Sequence, residues 1–118
     1  MNARKFFRSF SYAVTGIVTA SKEQNLRFHL CSAMIVIIAG IFTRLSITEW
    51  MILTIVMALV ISAELINTAI ERVVDLASPE IHPLAKDAKD IAAGAVLVFA
   101  VASVIIGLLI FLPKWLSI

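Results

Sequence analysis

A single acid decides what this chain can be. From Trp50 to Ala63 no residue carries a charge, and the run leads straight into Glu64, so a carboxylate stands inside what otherwise has the composition of a membrane span. Placing a charge at that depth costs about 2.5–3.5 kcal/mol on insertion scales, which makes function its default explanation. The polar residues that follow, Asn67, Glu71 and Asp75, are spaced by three, four and four from Glu64. At about 100° per residue they share one helical arc of roughly 80°, while Leu65, Ile66, Ala69, Ile70, Val73 and Val74 cover much of the remainder.

The surrounding composition agrees. Of 118 residues 61% are hydrophobic, against about 45–50% in soluble domains. The expected fold is an all-α integral membrane protein, one domain over 1–118, with an N-terminal surface helix and three spans. Cys31 is the sole cysteine, which excludes an intrachain disulfide and leaves it a packing role. The net charge is only +2, but Arg4, Lys5, Arg8, Lys22 and Arg27 all precede the first apolar run. That placement suits a cytoplasmic membrane face and not a nucleic-acid patch. No cleaved leader is expected.

From about residue 3 to 21, Phe6, Phe7, Phe10, Ala13, Val14 and Ile17 recur at helical spacing between Arg4, Lys5, Arg8, Ser11 and Thr15. The pattern predicts an amphipathic helix in the headgroup plane. Spans are expected over about 26–47, 50–76 and 84–112, with Trp50 as an interface anchor, the prolines at 79 and 83 ending the second, and Pro113 with Lys114 closing the third. Ala92, Ala93, Gly94 and Ala95 would let another backbone approach the entry of the third span. The distribution of Lys and Arg puts the N-terminus and the second connector in the cytoplasm.

Glu64 and Glu71 are separated by about 10 Å along a helix, too far to share one Mg²⁺ with oxygen ligands at about 2.0–2.1 Å. Glu71 and Asp75, nearer water, suit metal or nucleotide binding. Glu64 suits drawing a proton from a hydroxyl that arrives through lipid. The competing reading is a polar helix contact in an oligomer. The segment His82-Pro-Leu-Ala-Lys86-Asp-Ala-Lys89-Asp90 gathers phosphate-binding lysines at a helix start, or merely fixes helix depth. His82 and His29 are each open to a structural or a ligand-contacting role, and Glu23 to a solvated role or to serving as a second carboxylate beside Glu71. No G-x-x-x-x-G-K-[ST] occurs and the four glycines are scattered, so neither a P-loop nor a kinase glycine loop is present. Phosphoryl transfer would then rely on carboxylate-bound Mg²⁺ and lysines. A small proton-coupled multidrug transporter is the rival class, and it predicts four spans.

Glu64-Leu-Ile-Asn67-Thr-Ala-Ile-Glu71-Arg-Val-Val-Asp75 followed by His82-Pro-Leu-Ala-Lys86-Asp-Ala-Lys89-Asp90 resembles the small prokaryotic diacylglycerol kinase family over nearly the whole chain. The His-Pro-Leu-Ala-Lys form is similar to the Gram-positive branch, whose members favour undecaprenol over diacylglycerol. The resemblance implies a lipid kinase of the cell membrane that uses Mg²⁺ and ATP, forms a homotrimer and builds its sites between neighbouring subunits. It implies Glu64 as catalytic base, Glu23 and Glu71 as metal carboxylates, and Lys89 and Asp90 on the nucleotide phosphates. Glu80, Ile81 and His82 correspond to a nucleotide-contacting hinge, and Arg4 and Tyr12 to surface-helix nucleotide contacts. Asn67, Asp75, His29 and Ala93 stand as lipid-contacting or supporting positions. In place of a Gly-Arg pair and an acid in the diacylglycerol branch, this chain has Lys86-Asp87 and His29.

Overall fold

The computed structural model describes residues 2–117 and contains four helices: α1 Ala3–Ala20, α2 Gln24–Thr43, α3 Ile47–Ala77 and α4 Pro83–Trp115. The last three are each long and apolar enough to cross a membrane. In lipid a backbone must satisfy its own polar groups, which the unbroken ladder of a helix does. At about 1.5 Å per residue, α3 and α4 also outrun a hydrocarbon core of about 30 Å, so their polar ends project beyond it.

α3 and α4 form the principal pair, α2 leans on α3, and α1 touches α3 only lightly. Within α1 the one buried residue is Ala20, while Phe6, Phe7, Phe10 and Tyr12 all lie exposed.

The end remote from Glu64 is the better tied. Leu45, Leu53, Ile110 and Phe111 form a buried cluster flanked by Val36, Ala39, Trp50, Met57 and Ile106. Trp50, expected as an interface anchor, is half-buried, and its ring lies over Gly40 so closely that a Cβ there would stand 2.6 Å from Cη2. Trp115 Nε1 donates to Thr43 Oγ1 at 2.9 Å, and Lys114 pairs with Glu49 at 3.1 Å.

Several boundaries differ from the sequence expectation, each for a local reason. α2 stops at Thr43 instead of continuing to 47, because Arg44 turns left-handed at φ 58° and lets Leu45 N–H reach the Gly40 carbonyl at 3.4 Å. A residue with a Cβ pays about 1–2 kcal/mol for that conformation. α3 starts at Ile47, ahead of Trp50, since Ser46 and Glu49 form a reciprocal capping box with bonds of 3.2 and 2.9 Å. α4 begins at Pro83, whose missing N–H costs nothing at the first helical position, and His82 Nδ1 accepts from Leu84 N–H at 3.1 Å. Pro113 does not close α4, which runs on to Trp115. Proline so near the end removes a single hydrogen bond, and Leu116 N–H still reaches the Leu112 carbonyl at 2.9 Å.

Candidate active site

The polar arc of α3 becomes a gradient of depth. Glu64 is 2% exposed and Asn67 3%, Glu71 is half-buried, and Asp75 stands in the open. The periodicity that puts them on one face also carries that face from the bundle interior to water in three turns of helix.

Glu64 is not directed at lipid. It lines a pocket of ≈ 260 Å³ with Asn25 and His29 from α2, Asn67 from its own helix, and Ala93, Val96, Leu97 and Ala100 from α4. His29 Nε2 lies 3.6 Å from Glu64 Oε2. Asn67 Nδ2 donates to Glu71 Oε1 at 3.1 Å, which joins the deep acid's layer to the one above it. Asn67 Oδ1 is buried with no hydrogen-bond partner among the described residues. Thr68 donates to the Glu64 carbonyl at 3.0 Å.

Glu23 is the N-cap residue of α2 but makes no side-chain cap bond. Its carboxylate pairs instead with Arg72 at 3.6 Å. Arg72 escaped the sequence analysis because it lies off the acidic arc. With Glu64 and Thr68 it forms an i, i+4, i+8 row, which is the signal that could have found it.

A second group of site residues gathers where α3 gives way to α4. Asp75, Glu80, Ile81, His82 and Lys89 line a pocket of ≈ 320 Å³ together with Lys86. Lys89 pairs with Asp75, and Lys86 with Asp90 at 2.6 Å. His82 serves this pocket while its Nδ1 caps α4. Tyr12 belongs to a third space, a groove of ≈ 650 Å³ between α1 and α3 that also holds Thr68 and Arg72. Arg4 is not brought to any of these groups: it is exposed, its backbone N–H is capped by Asn2 at 3.1 Å, and its side chain forms no ion pair among the described residues.

No cluster of three or more His, Cys, Asp or Glu is arranged for a metal ion among the described residues. A Mg²⁺ ion does not need one, since it keeps several waters and binds through one or two carboxylates plus substrate phosphates. Glu23 and Glu71 fit that donor chemistry. Glu23 already holds a cation, Arg72, in an exchangeable contact open to solvent, and Glu71 has an oxygen beyond the one that Asn67 uses.

A carboxylate sunk among apolar helices, acids stepping out to water along α3, and a separate lysine-bearing pocket where α3 gives way to α4 fit a membrane enzyme in which a lipid-borne group meets a water-borne one. Residues 11–111 match the family described as prokaryotic diacylglycerol kinase. The chain is 57% identical over 111 residues to an undecaprenol kinase of Bacillus subtilis, covering 93% of this chain and 90% of that protein. It is 43% identical over 111 residues to a diacylglycerol kinase of Synechocystis, covering 92% of this chain and 63% of that longer protein. A diacylglycerol kinase of Helicobacter pylori is 33% identical over 96 residues, 80% of this chain and 75% of that one. The chain belongs to the prokaryotic diacylglycerol kinase family, and it is a lipid kinase.

Proposed function

We propose that this lipid kinase transfers the γ-phosphoryl group of Mg·ATP to the hydroxyl of undecaprenol, giving undecaprenyl phosphate, within a single domain that spans the chain. The observation that carries the proposal is the buried Glu64, set two helical turns below Glu71 in a pocket whose α4 wall is apolar. A single carboxylate opposite an α4 wall made only of Ala93, Val96, Leu97 and Ala100 suits a ligand that brings one hydroxyl and little else polar, as a polyprenol does. The identity of 57% to an undecaprenol kinase favours that acceptor. Diacylglycerol is the second reading, favoured by the more distant relatives at 43% and 33% identity.

In this account Glu64 takes the hydroxyl proton as the oxygen attacks the γ-phosphorus, and ADP leaves. Glu23 and Glu71 would hold Mg²⁺, which would neutralise charge on the phosphates when bound. Lys89 and Asp90, with Glu80, Ile81 and His82, handle the nucleotide at the α3–α4 mouth, and Tyr12 and Arg4 meet it from α1. Asp75 keeps Lys89 in place. Asn67 and Ala93 line the acceptor's path. The N-terminal helix lies in the cytoplasmic headgroup plane with its phenylalanines in the acyl boundary, and the mouth faces the same side. Three copies assemble, each neighbour covering the open side of the next copy's pocket. The transporter alternative finds no support, since three helices, not four, are long and apolar enough to span among the described residues.

The test is transfer of labelled phosphate from ATP to lipid in mixed micelles, with undecaprenol and diacylglycerol offered separately. The expected result is faster turnover on undecaprenol, falling by about 10²–10⁴ in Glu64→Gln with ATP binding retained. Preference for diacylglycerol would move the assignment to the second acceptor, and full turnover in the variant would remove Glu64 from the chemistry.

A further inference from the structure

His29 comes from the second turn of α2 and forms the wall between two spaces. On one side is the pocket of Glu64; on the other is an inner cavity of ≈ 100 Å³ lined in part by Ser32, Ser103 and Gly107. Its ring is held edge-on by Phe28, with centroids 5.5 Å apart and planes at 76°. The His29 side chain is 16% exposed and that of Glu64 3%, so the contact at 3.6 Å between Nε2 and Oε2 is made largely out of water.

Most other donors nearby are already engaged, and the Asn25 amide, which also lines the pocket, belongs to an exposed residue in the first turn of α2. Ser32 donates to the Phe28 carbonyl at 2.8 Å and Ser103 to the Ala100 carbonyl at 2.7 Å. Thr68 donates to the Glu64 backbone, and the Asn67 amide, which also faces the carboxylate, donates to Glu71. No Lys or Arg pairs with Glu64 among the described residues, while α4 contributes only Ala93, Val96, Leu97 and Ala100 to the pocket. An unheld carboxylate in such a place would rotate freely between the acceptor and the bundle interior, and a misplacement of about 1 Å at a reacting group can cost about 10² in rate.

We infer that His29 is a positioning residue for phosphoryl transfer: its Nε2–H holds one oxygen of Glu64 so that the other faces the hydroxyl of the lipid acceptor. The inference rests on the assignment of Glu64 as the base. The separation of 3.6 Å is slightly beyond hydrogen-bond reach, as catalytic contacts often are before substrate closes the site.

Full-length His29→Phe and His29→Gln, in micelles with undecaprenol and Mg·ATP, test it. Phenylalanine keeps the ring packing and removes the donor; glutamine restores an N–H close to where Nε2 stood. The expected result is a fall in kcat of about 10–100-fold for His29→Phe, with the KM for ATP and the melting temperature unchanged, and recovery to within about fivefold for His29→Gln. Wild-type kcat in His29→Phe overturns the inference, as does a loss that tracks a lower melting temperature or that glutamine fails to recover. If the unsubstituted protein phosphorylates neither undecaprenol nor diacylglycerol, the assignment of Glu64 falls and this inference with it. An active wild type with an equally active His29→Phe overturns the inference alone.

Discussion

Asn67 is badly placed for stability, and the proposed function supplies a reason for it to be there. Its amide is spent on Glu71, and its oxygen is buried without a partner. An unsatisfied buried acceptor costs about 1–3 kcal/mol, and nothing on α4 repays it, because Ala92, Ala93 and Val96 offer only methyl groups from their side chains. Selection for stability alone would favour an apolar side chain here. Asn67→Leu is therefore expected to melt no lower than wild type while losing about 10–100-fold in turnover, since both the support of Glu71 and the oxygen near Glu64 disappear. Thermal unfolding in detergent beside a turnover assay checks this, and a variant that both melts earlier and keeps its rate would show Asn67 to be structural. The acid beneath it was legible in the sequence because charge in an apolar run is conspicuous. The pairing of Glu23 with Arg72 was not, because it joins residues about fifty positions apart through the angle at which α2 meets α3, which spacing along one helix does not encode.

At the scale of elements, the helices themselves were largely legible and their ends were not. Apolar runs impose helices in lipid whatever the side chains, so Ile91 to Leu112 left little choice. Ends are set by single contacts. The Ser46–Glu49 capping box carries a sequence signature, S-x-x-E, that marks the start of α3 better than Trp50 does. The left-handed turn at Arg44 has no glycine to announce it, and it is imposed by how tightly α2 must fold back onto α3. Gly40 lies at the centre of that reversal, with a prospective Cβ 2.6 Å from Trp50 Cη2 and 3.0 Å from Leu45 Cδ1. Gly40→Ala is expected to destabilise by about 1–3 kcal/mol through overpacking, despite the better helix propensity of alanine. Trp50→Leu in the same chain should return part of the loss, because the clashing ring edge is gone. Melting of the two single variants and the double variant measures the coupling, and strict additivity would deny the contact.

The molecule as a whole measures 54 × 43 × 23 Å, a slab about two helices thick, with the spans side by side and α3 and α4 as its principal contact. So thin a body cannot wall a site on every side, and many large apolar side chains lie on its surface, among them Ile66, Val73, Leu97, Val98 and Leu108. Lipid or another copy must cover them, and in the proposed trimer a neighbour does so over the pocket mouth. In that proposal the acids of each site come from one chain. Across the α2–α3 contact of one chain Glu64 meets His29 and Glu23 meets Arg72, so on the proposed assignment a subunit that loses any of the three acids loses its own site. Subunits carrying Glu23→Ala and subunits carrying Glu64→Gln, each inactive alone, are accordingly expected to stay inactive when unfolded together, refolded and assembled at random, because every chain in the mixture lacks one of the required carboxylates. Independent sites drawn across the interface would behave differently: some assemblies would bring an intact Glu23 from one chain to an intact Glu64 from another, and a substantial fraction of wild-type turnover would return. Recovery of that kind would show that the metal carboxylate and the base act across subunits, while its absence, with reassembly verified by size in detergent, ties both to the α2–α3 contact of a single chain.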